Sequence, residues 1–334
     1  MSSPTLALVK SHKGKLFTHC EYAYSYKGDS KFFSVSEDQK SIFDLASLTK
    51  VLCTTTLLAI AVDEKKIKLS DPLKTYLPHF HSSKPTIATT LQHSAGFEAW
   101  LPLYKLKTKQ EYLNTISQSY DEKKFLTQVL YSDLGFILLG FLLEEIYGKN
   151  LNLILESYGY TNLKFNPENK NEIIDTGLSP HEKSPTLGLV NDDNTRTLGS
   201  ACGHSGLFGN TKSVLKIGKE WLLALKGKSS LLTEKTARTF WNEKPYPKTS
   251  RSLGWDGVEQ DGSSSAGSHF SSSTRGHLGF TGTSLWCDPE KDLLVTLLTN
   301  RTLLAKDVFD KKPIYEFRKT FHNSLVEEIL KESP

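Results

Sequence analysis

Cysteine is scarce in this chain. The 334 residues contain four, at Cys20, Cys53, Cys202 and Cys287. They form no CxxC pair and no Cys/His ligand spacing, and no HExxH motif occurs, so we expect neither a metal nor another cofactor. Their wide separation favours a reducing compartment, with disulfides as the alternative.

Charge of one sign is not concentrated anywhere. The chain has 41 Lys and Arg residues against 37 Asp and Glu residues, a formal net charge of +4. No basic run is long enough for a nucleic-acid footprint, so we expect no nucleic-acid partner. The expected partner is a small-molecule or peptide substrate, and the oligomeric state is left open.

Long hydrophobic runs and a signal segment are also missing. The longest apolar run, residues 51–62, is too short to cross a bilayer, so we expect no stable membrane insertion. The N-terminus lacks the basic-then-apolar pattern of a signal peptide. We therefore expect a cytoplasmic protein from the sequence as it stands, or a periplasmic or secreted one if a signal has been removed.

Strand-like alternation at both ends and helical patterns in the middle predict an α+β fold. Residues 5–17 are predicted as two short strands around a Lys-Gly turn. A helix is expected from about Ala46 to Glu64, two hairpin strands after residue 276, and a last helix near 315–330. This predicts one domain, 1–334, whose sheet part is about 1–80 and 205–334. A helical region of about 81–204 is inserted, with a cleft between the two parts.

A serine and a lysine stand three residues apart at the start of the first long helix. Because residues three apart share a helix face, the Ser47 hydroxyl and the Lys50 amine can meet. Lys50 is the only charge between Ser47 and Val62, and burial lowers a lysine pKa from about 10.4 toward neutrality. We therefore expect Ser47 as nucleophile and Lys50 as its base. The alternative is a lysine that reaches the surface and a serine that only caps the helix.

A tyrosine stands just before the second apolar helix. That helix, LGFILLGFLLEEIYGK, is predicted to have Asp133 as N-cap and Gly148 as C-cap. Beside the lysine, the Tyr131 phenol can move a proton between nucleophile and leaving group. The alternative is that Tyr131 packs under the helix and Asp133 only caps it.

Glycines recur every third residue on the predicted strand that contains His277. Gly276, Gly279 and Gly282 mark a place where a ligand approaches the backbone, or else a twisted edge strand with bulges. In the first case, the N–H groups of Phe280 and Ser47 form an oxyanion hole.

These three segments together resemble a known signature. The order SLTK, YSD, HLG is similar to the SxxK, SDN and KTG motifs of the serine β-lactamase and penicillin-binding protein superfamily. The likeness is closest to the branch with tyrosine in the second motif, which holds class C β-lactamases, D-alanyl-D-alanine carboxypeptidases and related esterases. It covers nearly the whole chain, through FDLASLTK, LQHSAGF, YSDLGFILLG, GHSGLF and GHLGFTGTSLWCDPEKDLLVTLLTNR.

The resemblance implies a β-lactamase/transpeptidase-like fold with the site in the cleft. It implies that Ser47 is acylated and that Lys50 and Tyr131 share the acid and base work. Asp133 stands where the family often has Asn, which contacts substrate and lysine, and His277 stands where many members have Lys. Together with Gly279 and Phe280, these two residues are the expected substrate-binding set.

Two departures from the family pattern affect the expected substrate. Asp133 adds a negative charge beside Lys50 and opposes the expected pKa drop. Leu278 and Phe280 replace small or hydroxylated residues and cannot hydrogen-bond a substrate carboxylate, which favours an ester or an atypical amide over efficient β-lactam turnover.

Other polar and aromatic residues have structural alternatives. His93 and His204 are interpreted as loop-fixing histidines, and residues 191–194 as an ordinary turn rather than a cation site. Trp100, Tyr104 and Trp255 either line the cleft or pack in the core.

The sequence therefore predicts a serine hydrolase that works through an acyl-enzyme, with a D-amino-acid peptide or a related amide as the leading substrate. A carboxylesterase or a weak β-lactamase of the same fold is the alternative enzyme. A catalytically silent binding or sensor domain is the alternative of another class, and Asp133 is the feature that favours it.

Overall fold

The larger sheet is built from the two ends of the chain. The structure, a computed structural model, describes residues 3–36, 38, 40–259 and 263–332. Its strands are β1 (Cys20–Tyr26), β2 (Asp29–Ser34), β3 (Phe43–Asp44), β4 (Lys164–Phe165), β5 (Leu207–Gly209), β6 (Asp256–Gly257), β7 (Arg275–Leu278), β8 (Ser284–Asp288) and β9 (Leu293–Thr299). Six of them form an antiparallel sheet in the order β2-β1-β9-β8-β7-β6, and β3-β5-β4 form a second, small sheet.

Helices cover the sheet and fill the middle of the chain. They are α1 (Pro4–His12), α2 (Thr56–Asp63), α3 (Ile87–Leu91), α4 (Lys109–Ser119), α5 (Asp133–Tyr147), α6 (Leu151–Ser157), α7 (Asp193–Thr197), α8 (Thr211–Leu225), α9 (Glu234–Asn242) and α10 (Lys312–Lys331). Short 3₁₀ turns occupy Leu73–Thr75, Leu103–Lys105, Glu122–Lys124, Lys170–Glu172 and Arg301–Leu303. The predicted α+β class and the C-terminal helix are confirmed.

The N-terminus is a helix, so the prediction of two short strands in residues 5–17 was wrong. The Ser3 hydroxyl accepts from the Leu6 N–H at 3.2 Å and Pro4 occupies the first turn, a favourable helix start. The Thr5 N–H and hydroxyl both donate to the Glu328 carboxylate on α10, at 2.6 and 2.8 Å. Docking on the far end of the chain therefore stabilises a segment whose local pattern resembles a strand.

The helical stretch before α2 changes its winding at the lysine. A 3₁₀ turn at Ala46–Leu48 is followed by a π-helical segment, Lys50–Thr55, and then by α2. The 18 residues from Ala46 to Asp63 are long and apolar enough for a membrane-spanning helix, but 83% of this stretch is buried within the protein, which is typical of a core helix. π-segments are rare and are often found at functional sites.

A contact between two glycines positions the loop before β5 against α5. A Cβ added at Gly140 would lie 2.7 Å from the Gly203 nitrogen, and one added at Gly203 would lie 2.2 Å from the Phe136 carbonyl oxygen. The Gly203 carbonyl accepts from the Thr54 hydroxyl at 2.6 Å. The loop therefore lies between α5 and the π-segment.

We predict that Gly140→Ala destabilises the protein. Overpacking costs about 1–3 kcal/mol, which outweighs the gain of about 1 kcal/mol that alanine has over glycine inside a helix. Urea unfolding should give a lower free energy of unfolding for the variant. An equal or higher value would show that the loop shifts freely and that the contact does not limit packing.

Candidate active site

The predicted site residues meet in one cleft between the helical part and the sheet part. The cleft has a volume of about 650 Å³. Six of the seven predicted residues line it: Ser47, Tyr131, Asp133, His277, Gly279 and Phe280. The seventh, Lys50, has no solvent exposure and lies against the serine, with its Nζ 3.1 Å from Ser47 Oγ.

The Lys50 amine has three acceptors around it. Nζ donates to Ser47 Oγ at 3.1 Å, to Asp133 Oδ1 at 2.7 Å and to the His204 carbonyl at 3.0 Å. An ammonium has three donors and no acceptor, so this arrangement satisfies the charged form completely.

The electrostatics of the site also favour the ammonium. Burial acts to lower the pKa of Lys50, but the negative charge of Asp133, aided by hydrogen bonding, outweighs burial and raises that pKa above its usual range. The expectation that burial brings the lysine near neutrality was therefore wrong. The reason is the carboxylate at 2.7 Å, which is the Asp-for-Asn departure noted in the sequence.

The sequence predicted Asp133 as the N-cap of α5, and this prediction was wrong. The N-cap is Ser132, whose hydroxyl accepts from the Gly135 N–H at 3.3 Å, and Asp133 is the first helical residue. Its N–H donates to the Ala99 carbonyl at 2.9 Å, and its carboxylate is free to reach Lys50. The predicted C-cap, Gly148, is confirmed with a left-handed φ of 60°.

Tyr131 lies beside the lysine as a protonated phenol. Its ring centroid is 4.9 Å from Lys50 Nζ. Burial raises the pKa of Tyr131, and the opposing charge of Lys50 does not cancel this rise. At neutral pH the side chain can therefore donate a proton.

His277 is a buried residue at the edge of the cleft. Its Nδ1 lies 2.8 Å from the Leu278 carbonyl; because a carbonyl only accepts, Nδ1 carries the hydrogen. Nε2 is then a lone-pair acceptor, buried and without a partner in the part of the chain that the structure describes. Burial, with the positive charges of Lys50 and Arg251, lowers the pKa of His277 to about 4, so the ring is neutral at pH 7.

Other atoms of the protein pack closely against two of the three glycines near His277, Gly276 and Gly279. A Cβ at Gly276 would lie 2.2 Å from the Leu285 carbonyl oxygen, and one at Gly279 would lie 1.9 Å from Thr283 Oγ1. A side chain therefore does not fit at either position. Gly279 also lines the cleft, and the expectation that these glycines mark a ligand's approach stays a prediction. Phe280 lies beyond the end of β7, and its carbonyl accepts from Arg301 Nε at 2.8 Å; its role in an oxyanion hole stays a prediction.

An ion pair between the buried His204 and the partly exposed Asp192 borders the site, and sequence reasoning missed it. His204 Nε2 lies 3.0 Å from Asp192 Oδ1, and both side chains line the cleft. Burial acts to lower the pKa of His204, but the Asp192 charge outweighs it and raises that pKa. The linear spacing gave no signal for this pair, because Asp192 also caps α7 and lies in a segment that has the composition of a turn.

Aromatic side chains form one wall of the cleft. Trp100 stacks on His181 with ring centroids 4.2 Å apart, and Tyr104 and Phe309 contact the same imidazole. Trp255, in contrast, is 1% exposed and packs in the core. Of the two interpretations offered for these aromatics, cleft lining holds for Trp100 and core packing for Trp255.

Within residues 3–36, 38, 40–259 and 263–332, no group of three or more His, Cys, Asp or Glu side chains is arranged to hold a metal ion. The four cysteines are buried and free.

The family model described as Beta-lactamase matches residues 2–316. The chain belongs to the beta-lactamase family. Members of this family are serine hydrolases, which agrees with the resemblance drawn from the three motifs.

Sequence relatives of this beta-lactamase family member include two named enzymes. It is 27% identical over 353 aligned positions to an N-acetylmuramyl-L-alanine amidase of Bacillus subtilis strain 168, covering 89% of this chain and 77% of that protein. It is 28% identical over 344 positions to a Salmonella gallinarum protein provisionally named D-alanyl-D-alanine carboxypeptidase, covering 90% and 78%.

Solved structures support the fold. EstCE1, a hydrolase with promiscuous acyltransferase activity, superposes with a TM-score of 0.75 at 16% identity, covering 95% of this chain and 97% of that one. A class C beta-lactamase from Rhodobacter sphaeroides gives a TM-score of 0.72 at 16% identity, covering 98% and 100%.

We predict that Asp192→Asn destabilises the protein by about 1–3 kcal/mol at acidic pH, because the buried His204 loses the carboxylate that stabilises its protonated form. The raised pKa of His204 means that the pair's contribution is complete below about pH 6.5 and is lost as the pH rises through the raised value. Unfolding free energies from pH 5 to 10 should therefore converge for wild type and variant toward alkaline pH. A pH-independent difference would contradict the ion-pair interpretation.

Proposed function

We propose that this family member is a serine hydrolase that forms an acyl-enzyme on a D-amino-acid peptide or a related amide. The observation that carries the proposal is the position of Ser47 Oγ, which faces the cleft 3.1 Å from the buried Lys50 ammonium. At this distance the amine, when unprotonated, can take the hydroxyl proton, and the ammonium that results stabilises the negative charge on the oxygen.

The proposed reaction has two halves. In the first, the Ser47 oxygen bonds to the substrate carbonyl carbon, its proton passes to Lys50 in molecules where the amine is unprotonated, and the C–N bond breaks. Tyr131 gives the leaving nitrogen its proton. The N–H groups of Ser47 and Phe280 hold the oxyanion. In the second half, water adds to the acyl carbon and gives a proton to the Tyr131 phenolate. The ester bond to Ser47 then breaks, Lys50 returns its proton to the serine oxygen, and the acid is released.

The amide substrate is favoured by the relatives and by one feature of the cleft. The Bacillus subtilis and Salmonella gallinarum relatives, which align over about nine-tenths of this chain, carry the names of an amidase and a carboxypeptidase. The unpartnered Nε2 of His277, a residue that lines the cleft, would accept from a substrate N–H group if a small side-chain movement exposes it, since a buried acceptor left unpaired is costly.

A carboxylesterase is the second candidate. Leu278 and Phe280 line the cleft with apolar side chains, which offer nothing to a substrate carboxylate but suit an uncharged ester. A silent binding domain is the third, because Asp133 holds Lys50 in the protonated form.

We predict that kcat/KM of the wild type rises with pH into the alkaline range, since only unprotonated Lys50 accepts a proton. Asp133→Asn removes the charge that raises the Lys50 pKa and leaves burial, which lowers it. The rising limb should move to lower pH, with roughly a tenfold or greater gain in kcat/KM at pH 7, because one pKa unit corresponds to tenfold.

The matched control for this shift is Asp256→Asn. Asp256 also lines the cleft but pairs with Arg251 rather than with Lys50, so the rising limb should stay in place. A folded Asp133→Asn protein that is inactive at every pH would instead make Asp133 a required participant in the reaction.

We predict a Ser47-dependent covalent adduct, measured as intact-protein mass after incubation with a penicillin and, separately, a fluorophosphonate. Both adducts should be absent from Ser47→Ala. Fluorophosphonate labelling without penicillin labelling would keep the nucleophile and favour the esterase. No adduct with either reagent in folded wild-type protein would reject the hydrolase and leave the silent binding domain.

A further inference from the structure

The segment LQHSAGF and its continuation lie along the chain that leads into α5. Five hydrogen bonds connect the two segments: Leu126 N–H to Ser94 O at 2.9 Å, Leu130 N–H to His93 O at 3.0 Å, Ser132 N–H to His93 Nδ1 at 3.0 Å, Ser132 Oγ to Glu98 O at 2.6 Å and Asp133 N–H to Ala99 O at 2.9 Å. The second motif of the active site is therefore held by residues 93–99.

His93 makes two of these bonds, one on each side of Tyr131. Its carbonyl accepts from residue 130 and its imidazole accepts from residue 132, so the backbone of the tyrosine is fixed before and after. The imidazole also contacts the phenol ring directly, with centroids 4.7 Å apart. A single residue thus contacts both the backbone that flanks Tyr131 and the ring of Tyr131.

The protonation state of His93 suits this contact. Because Nδ1 accepts from a backbone N–H, the ring must be neutral with its hydrogen on Nε2. Burial, followed by the positive charges of Arg251 and Lys50, lowers the pKa of His93 well below its usual value. The imidazole is therefore a constant acceptor across the working pH range.

The backbone of His93 also restricts what can replace it. Its φ of 63° lies in the left-handed region, which histidine, asparagine and aspartate adopt more readily than other side chains with a Cβ. Asparagine, in addition, carries an oxygen at nearly the place of Nδ1. Asparagine is thus the conservative replacement at this position.

We propose that His93 is a positioning residue for the reaction and that it acts by placing the Tyr131 phenol against Ser47 and Lys50. It touches no reacting atom itself. The inference rests on the proposed function, and it extends that function to a residue whose sequence indicated only a loop-fixing role.

The test is a double-mutant cycle between His93→Leu and Tyr131→Phe, with hydrolysis of a p-nitrophenyl ester and of a D-alanine anilide as the assays. His93→Leu should lower kcat by tenfold or more with KM within about twofold, and His93→Asn should restore kcat to within about threefold of wild type. In the Tyr131→Phe background, His93→Leu should have no further effect, because a residue that acts through the phenol loses its influence once the hydroxyl is gone.

A matched control separates positioning from general stability. His322 is also a buried, neutral histidine with two hydrogen bonds, to the Ser265 carbonyl and the Ser284 hydroxyl, and it lies outside the cleft lining. His322→Leu should lower Tm with kcat unchanged. If His93→Leu does not fold, His93→Gln, whose amide lies one bond further out, takes its place in the cycle.

The positioning role would be overturned if the losses of kcat in His93→Leu and Tyr131→Phe multiply in the double variant. It would also be overturned if His93→Asn loses as much kcat as His93→Leu. Ser47→Ala is assayed in parallel. Turnover that depends on Ser47 together with multiplying effects rejects this inference alone, whereas turnover that persists in Ser47→Ala, or is absent from wild type, rejects both it and the proposed function.

Discussion

A buried ammonium with three hydrogen-bond acceptors is the interaction on which the rest of the site depends. Lys50 is fully buried, and a charge in that position is tolerated only when each of its hydrogens is paired. The acceptors come from three places: the same helical stretch, the first residue of α5 and the loop before β5. The lysine therefore connects parts of the chain that are far apart in sequence, and the same contact holds Ser47 toward the cleft.

The surrounding structure keeps each acceptor in its place. The Gly140–Gly203 contact brings the loop that contains His204 against α5, and the Asp192 pair fixes the ring of the same histidine. On the other side, His93 holds the residues that flank Tyr131. The charged group at the centre and the packed backbone around it thus depend on each other.

Periodicity and capping residues predicted those helices whose local sequence preference agrees with the contacts they make in the folded protein. The apolar helix that starts near Ser47, the left-handed glycine at the end of α5 and the C-terminal helix follow from periodicity and capping residues. The meeting of Ser47 with Lys50 needed only helical spacing. The N-terminal helix was missed because Glu328, more than 300 residues away, supplies its stabilising contacts. The Asp192–His204 pair and the protonated state of Lys50 depend on which chain segments meet, and a linear pattern does not contain that information.

The π-segment at Lys50–Thr55 also sets the rotation of α2 about the helix axis relative to Ser47. Each residue of an α-helix turns the chain by about 100°, and a π-turn holds one residue more than an α-turn. Ser47, before this segment, lines the cleft and the buried amine of Lys50 lies against it, while α2, further along the same stretch, directs its leucines and isoleucine into the hydrophobic cluster. Deleting one residue here would rotate α2 by about a quarter turn relative to the serine. The length of this short run is therefore constrained in addition to the identity of its side chains, all of which are buried.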